Sequence, residues 1–454
     1  MKTAFRIAIV IALTALGTAW AQPEGTPDAE AFRTAFLNGE LSWDDVLERA
    51  QEEGTVQWFH WGGSDELNTW IDIEVEPALA ALGVELETSR LPNTRDAVDL
   101  VLTEADAGAG VGEGSIDAIW LNGENFRTLA QADMLLGPVA DKLPNSQYFY
   151  LDPEDPRSAV NLFDFGYPTD LQEVPWSGAQ FVCYVDTARL PVAEAPSTFA
   201  ELETWVRDNP GRFTYVRPPN FIGNTFVQEV LYAHAEGGAD TFQRSRDSFT
   251  PEEFAEVTRD GYEFLRRIEP FLLGGSGTEG QGGNVIYPES HPANDQLFTN
   301  GEVDMVCQFG MYTAATSIQT GQFPETVRNI VFPEGNMIKN KNFIAIPRNA
   351  PNPAAALVLA NVLSSPENQL SKLGTIGYAL GIDPPLLPDE VQAEIDEVAP
   401  PLMGLTYDQL AANEAPDTNS SLVDVIEATW SRYVEQGDDA PFEQIVEEVF
   451  ANVN

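Results

Sequence analysis

Basic residues are scarce in this chain. Of 454 residues, 24 are Lys or Arg and 71 are Asp or Glu, leaving a formal charge of −47 at pH 7. No basic face can be assembled from so few cations, which excludes nucleic acid and anionic lipid as charge-driven partners. Cysteine is nearly absent too. Cys183 and Cys307 each sit in an apolar, strand-like run, "AQFVCYVD" and "VDMVCQFG". One disulfide and two buried thiols are both open, because sequence does not fix the separation of the Cα atoms. His60, His234 and His291 show no H-E-x-x-H or Cys/His spacing, which argues against a zinc site, and no cofactor is expected. No G-x-S-x-G elbow offers a serine nucleophile. Beyond the N-terminus, no apolar run reaches the length of a bilayer span.

What is present begins with "MKTAFRIAIVIALTALGTAWAQ". Lys2 and Arg6 precede a short apolar core and the Ala19-Trp20-Ala21 site, the pattern of a secretory signal (residues 1–21) cleaved after Ala21. A periplasmic or extracellular protein follows. Its acidic residues are spread along the whole chain, which suits a salty habitat; attraction of cationic solutes is the alternative.

Residues 22–53 read as an arm and a helix, with Ser42 as N-cap and Asp45 at the third helical position of "SWDDVLERAQEE". "TVQWFHW" reads as a strand. "SDELNTWIDIEVEPAL" reads as a helix with Leu67, Trp70, Ile71 and Val75 on one face. A strand "GVELETSRL", a helix "TRDAVDLVLTEADAG" and a strand "SIDAIWL" complete an α/β lobe over 54–178. The alternation repeats over 179–312, with "GAQFVCYVDTARL", "GRFTYVRPP" and "EVDMVCQFG" as strands and "NTFVQEVLYAHAEG" as a helix. Residues 313–385 return to the first lobe through "KNFIAIPRNA", and 386–454 form a helical tail. The Gly275–Gly280 run matches G-x-G-x-x-G but follows a helix, so it reads as a loop.

Ligands of open α/β sheets bind beyond the carboxyl ends of the strands. That rule gathers Trp61, Ser64 and Asp65 from "HWGGSDELN", and Trp120, Asn122, Glu124, Asn125 and Phe126 from "WLNGENF". It also gathers Asn220, Phe221, Asn224 and Thr225 from "RPPNFIGNTF", and Gln308, Phe309 and Tyr312 from "CQFGMYTAAT". Trp176 lies in "EVPWSGAQFV", which looks like a crossing between lobes; Tyr287, Glu289 and His291 lie in "VIYPESHPANDQLF". Aromatic faces, amides and a few carboxylates are what a small-molecule pocket needs. A secreted hydrolase using Asp65 and Glu124 is the alternative, without a supporting arrangement of groups.

Together the segments resemble the extracellular solute-binding proteins of ABC importers, of the type II periplasmic-binding fold. "WGGSDELNTWID", "DAIWLNGENFRTL", "VPWSGAQFV" and "NPGRFTYVRPPNFIGNTFVQEVLY" are similar to its YnjB-type group over about residues 54–385. The resemblance implies a monomeric, two-lobed α/β receptor that closes on a solute at its hinge and delivers it to membrane permease subunits. It implies ligand contacts from Trp61, Ser64, Asp65, Trp120, Asn122, Glu124, Asn125, Trp176, Asn220 and Thr225, to which the residue reading adds Tyr287 and Tyr312. Iron-binding relatives use a tyrosine pair where only Tyr312 stands here, which argues against iron. Trp faces beside Asp65 and Glu124 suit an organic cation, thiamine-like or polyamine-like, slightly ahead of a sugar.

Overall fold

The computed structural model describes residues 26–281 and 283–453; the expected signal sequence and the start of the arm lie outside them. Its central feature is one 14-residue strand, Glu173–Asp186. The first half pairs antiparallel with Met337–Ala345. The second half pairs antiparallel with Met305–Phe309 and Val327–Ile330. On the first-lobe side the sheet continues from Met337–Ala345 to Ala118–Leu121, Thr55–Trp61 and Glu85–Leu91. Those last three strands are parallel to one another, and the returning strand runs against its neighbours. This is the two-lobed α/β arrangement expected from the sequence, with the crossing strand joining the two lobes.

Local chemistry explains the first-lobe elements. Val56, Trp58 and His60 alternate as the buried face of their strand. Ser64 caps the next helix by accepting the Leu67 N–H at 3.1 Å. Leu67, Trp70, Ile71 and Val75 are all buried, as their spacing predicts. The helix widens to a π turn over Ile71–Val75, where the Glu76 N–H reaches back to the Ile71 carbonyl. Pro77 has no N–H to donate at the next position, so the ordinary ladder cannot continue through it. Ser42 and Asp45 form a full capping box on the helix Trp43–Glu53. The preceding helix, Pro27–Leu37, buries Phe36 in the first-lobe core.

In the second lobe the expected strand "GRFTYVRPP" is not formed. Phe213 bridges Met305, and the rest runs as irregular chain. Pro218 and Pro219 lack the donors a strand there would need. The helix that follows begins at Phe221, with Asn220 as its N-cap. The acidic tail supplies Trp430, Ile445 and Val449 to the second-lobe core, and its last helix, Phe442–Asn452, packs on Pro251–Ile268.

Cys183 and Cys307 are direct cross-strand partners with Cα atoms 3.9 Å apart, and they are joined as a disulfide. The bond closes a loop of 124 residues that holds most of the second lobe. Reducing it, or replacing both residues with Ser, should cost about 2–4 kcal/mol of stability. Urea unfolding with and without reductant checks this; an unchanged midpoint in the reduced protein would contradict it.

Candidate functional site

The first wall of the interlobe cleft is built from two strand ends. Trp61 and Trp120 meet edge to face with ring centroids 6.2 Å apart. Trp120 donates its indole N–H to Asn122 Oδ1 at 3.0 Å, and Asn122 Nδ2 donates to the Lys341 carbonyl at 2.7 Å. Asn122 therefore ties the strand end to the returning strand, Met337–Ala345, rather than closing a hairpin. The chain then enters the helix Gly123–Gln131. Gly123 has φ +60°, and a Cβ there would lie 3.0 Å from the Phe165 ring, so both conformation and space call for glycine. Its N–H donates to Asp164 Oδ2 at 2.5 Å.

Asp164 and Phe165 belong to a small hairpin, Phe163–Asp164 against Tyr167–Pro168. Phe165 and Gly166 both have positive φ, 46° and 64°. A two-residue turn of that kind prefers Asn-Gly, so a phenylalanine there is held against local preference. Its ring touches Phe221 at 5.8 Å, and Phe221 stacks on Phe309 at 5.1 Å. Phe221 and Phe309 come from the second lobe, as does His291, whose ring lies 5.1 Å from Trp61. Burial pushes His291 down to about 4, so it is neutral at pH 7.

Carboxylates collect where these walls meet. Glu124 is half-buried at the start of its helix, and its pKa is pushed up to about 7 by burial, with Asp424 adding to the rise and Arg95 and Arg127 opposing it. Asp164 is held well above the usual range by burial and then by Asp417. Asp417 is raised by burial and by Glu124, although Asn340 Nδ2 donates to it at 3.2 Å. Glu173 is fully buried, and neither of its oxygens accepts a hydrogen bond among the described residues. Such a site holds protons, or attracts a cation in their place.

The residues singled out in the sequence divide in two. Trp61, Trp120, Asn122 and Glu124 share one wall, and Asn125 sits beside Glu124 with its Oδ1 lacking a partner among the described residues. Asn220 caps the second-lobe helix and donates to the Glu289 carbonyl at 3.1 Å, while buried Thr225 donates to the Phe221 carbonyl. Ser64 serves as a cap and Asp65 stays exposed in the following turn.

Four residues need correction as solute-facing groups. Trp176 is fully buried, 4.9 Å from Trp120 and 5.7 Å from Trp58, and supports the wall from behind. Phe126 is buried in the first-lobe core. Tyr287 is half-buried, its ring packed between Tyr215 and Trp430 against the second-lobe core and its hydroxyl donating to Glu269 at 3.4 Å. Tyr312 is buried with its hydroxyl 2.7 Å from that of Tyr407. Sequence reading missed Asp164, Phe165, Asn340 and Asp417 altogether. "DFGYP" carries a faint turn signal for the hairpin. "APDTNS", which holds Asp417, reads as any exposed turn.

Residues 75–395 match the family described as bacterial extracellular solute-binding protein. The chain is 34% identical over 370 residues to protein YnjB of Escherichia coli (strain K12), covering 80% of this chain and 89% of that one. Among solved structures it is similar to MalX of Streptococcus pneumoniae in complex with maltopentaose, with TM-score 0.61, 13% identity and coverage of 87% and 99%. It is also similar to the Atu4243-GABA receptor, with TM-score 0.54, 14% identity and coverage of 84% and 97%. At these identities the two structures speak to the fold alone.

The raised carboxyl of Glu124 gives a signed expectation. Its stabilising contribution is complete below about pH 4.5, where the group is protonated folded and unfolded, and is lost as pH rises through about 7. Glu124→Gln should therefore stabilise the unliganded protein at pH 8 by on the order of 1 kcal/mol and change little at pH 4. The difference in melting midpoint between the two proteins across that range is the measurement; a constant difference would refute the assignment.

Proposed function

Because the chain belongs to the extracellular solute-binding proteins of ABC transporters, in the YnjB-type group, we propose that it captures a small organic cation between its lobes and presents it to a membrane permease. The observation that carries this reading is the set of interlobe carboxylates, Glu124, Asp164 and Asp417, whose burial and mutual charge leave them short of positive partners. Removing carboxylates from water is costly unless a cation or a proton compensates them. The phenyl rings of Phe165, Phe221 and Phe309 supply an apolar strip beside them. Hinge bending about the crossing strands would bring Trp61 and His291, one from each lobe, into the contact seen here and turn binding into a shape the permease can sense. Export by cleavage after Ala21 and action as a monomer belong to the same reading.

A thermal-shift screen of the mature chain against thiamine and its phosphates, polyamines, amino acids and sugars tests it, at low and high salt. A ligand at a hundred times its dissociation constant adds about 2.7 kcal/mol, which raises the midpoint by several degrees. A shift with cations alone is expected. A shift with sugars alone would overturn the cation reading. Trp120→Ala should weaken binding and remove the ligand-dependent change in tryptophan fluorescence, because its ring touches both Trp61 and Trp176.

A further inference from the structure

The hairpin that carries Asp164 and the tail segment that carries Asp417 are docked on each other. The Ser420 N–H donates to the Phe165 carbonyl at 2.7 Å, and the space a Gly166 Cβ would fill lies 3.1 Å from Asn419. Asp164 comes from the first lobe. Asp417 belongs to the second, since Tyr232 of the helix Phe221–His234 donates to the neighbouring Pro416 carbonyl at 3.1 Å. Among the described residues both carboxylates meet neutral donors, the Gly123 N–H and the Asn122 side chain for Asp164 and Asn340 Nδ2 for Asp417. The two are 2% and 7% exposed.

A second observation comes from the helix Phe221–His234. At about 100° per residue, Asn224 and Gln228 fall within about 60° of Phe221, and Tyr232 within about 20°. Phe221 reaches Phe165 across the cleft and Tyr232 reaches the Asp417 segment, so this face looks onto the acidic site. Asn224 Oδ1 and Gln228 Oε1, on side chains 3% and 1% exposed, accept no hydrogen bond among the described residues. Unused buried acceptors on one side and carboxylates on the other call for a ligand rich in N–H donors.

We infer that the cleft selects an alkyl-spaced primary or secondary amine, its ammonium held between Asp164 and Asp417, over a cation whose charged centre has no N–H. The inference rests on the receptor reading above and narrows its ligand class. An ammonium presents up to three donors and can serve both carboxylates and an amide oxygen at once. A quaternary ammonium or a thiazolium satisfies none of those acceptors. It would be better served by open aromatic faces, whereas Trp176 is buried and Trp61 and Trp120 meet edge to face. The phenyl strip of Phe165, Phe221 and Phe309 covers the methylene spacer instead.

The test is calorimetric titration of the mature chain with putrescine and spermidine, with putrescine N-methylated stepwise to the bis-quaternary compound, and with thiamine, choline and maltose. Affinity should fall as N–H groups are lost, by about 10- to 100-fold overall. Asp164→Asn and Asp417→Asn should each weaken amine binding by about tenfold or more. The methylation series needs no variant, so the inference stays testable even if the substitutions unfold the protein. Tighter binding of thiamine or choline, or an affinity indifferent to methylation, would overturn the inference and leave the cation receptor standing. Binding of maltose alone, or no response to any amine or cation, would overturn both.

Discussion

The antiparallel ladder between Glu173–Asp186 and Met337–Ala345 is the constraint on which the rest depends. Both strands run from one lobe to the other, so their backbone hydrogen bonds are the continuous part of the connection. The ladder shifts register between Pro175 and Ser177, where Pro175 has no N–H to give. Beyond that irregularity the long strand leaves one set of neighbours and takes up another, and Cys183–Cys307 fixes it to its new partner. Each lobe is thus tied to its own half of the strand.

A second thread runs from core to cleft through aromatic rings. Trp58 meets Trp176 at 5.7 Å, Trp176 meets Trp120 at 4.9 Å, Trp120 meets Trp61 at 6.2 Å, and Trp61 meets His291 of the other lobe at 5.1 Å. Edge-to-face packing of this kind gives each ring a preferred orientation as well as buried area. The rings at the surface are therefore placed by those beneath them. Asn122 adds a polar link, tying Trp120 to the returning strand at Lys341.

Charge sets the third condition. Most of the carboxylates lie on the surface, where water and salt screen them. Those near the cleft face one another at low exposure, and the nearby basic groups are few. Lys341 is already engaged with Asp383 at 2.7 Å, and Arg95 with Asp99 at 2.9 Å. Repulsion that would be trivial on the surface becomes decisive when it is buried.

Periodicity and capping signals in the sequence were enough for the first lobe. Leu67, Trp70, Ile71 and Val75 are buried as spaced, Ser42 caps as read, and Trp61, Trp120, Asn122 and Glu124 share a wall because all lie at or just beyond the ends of adjacent parallel strands. These are local or nearest-strand relations, and hydrophobic spacing encodes them directly. The carboxylates Asp164 and Asp417 stand 253 positions apart, and no local pattern marks either. Their meeting depends on how a hairpin of one lobe docks on the tail of the other. Trp176 and Tyr287 show the converse: aromatic residues in suggestive motifs whose place, core or cleft, was settled by which neighbours could enclose them. Sequence determined the first-lobe strands, the Ser42 cap and the receptor class. Tertiary packing decided which polar groups lost their water, and with that where the charge of the cleft resides.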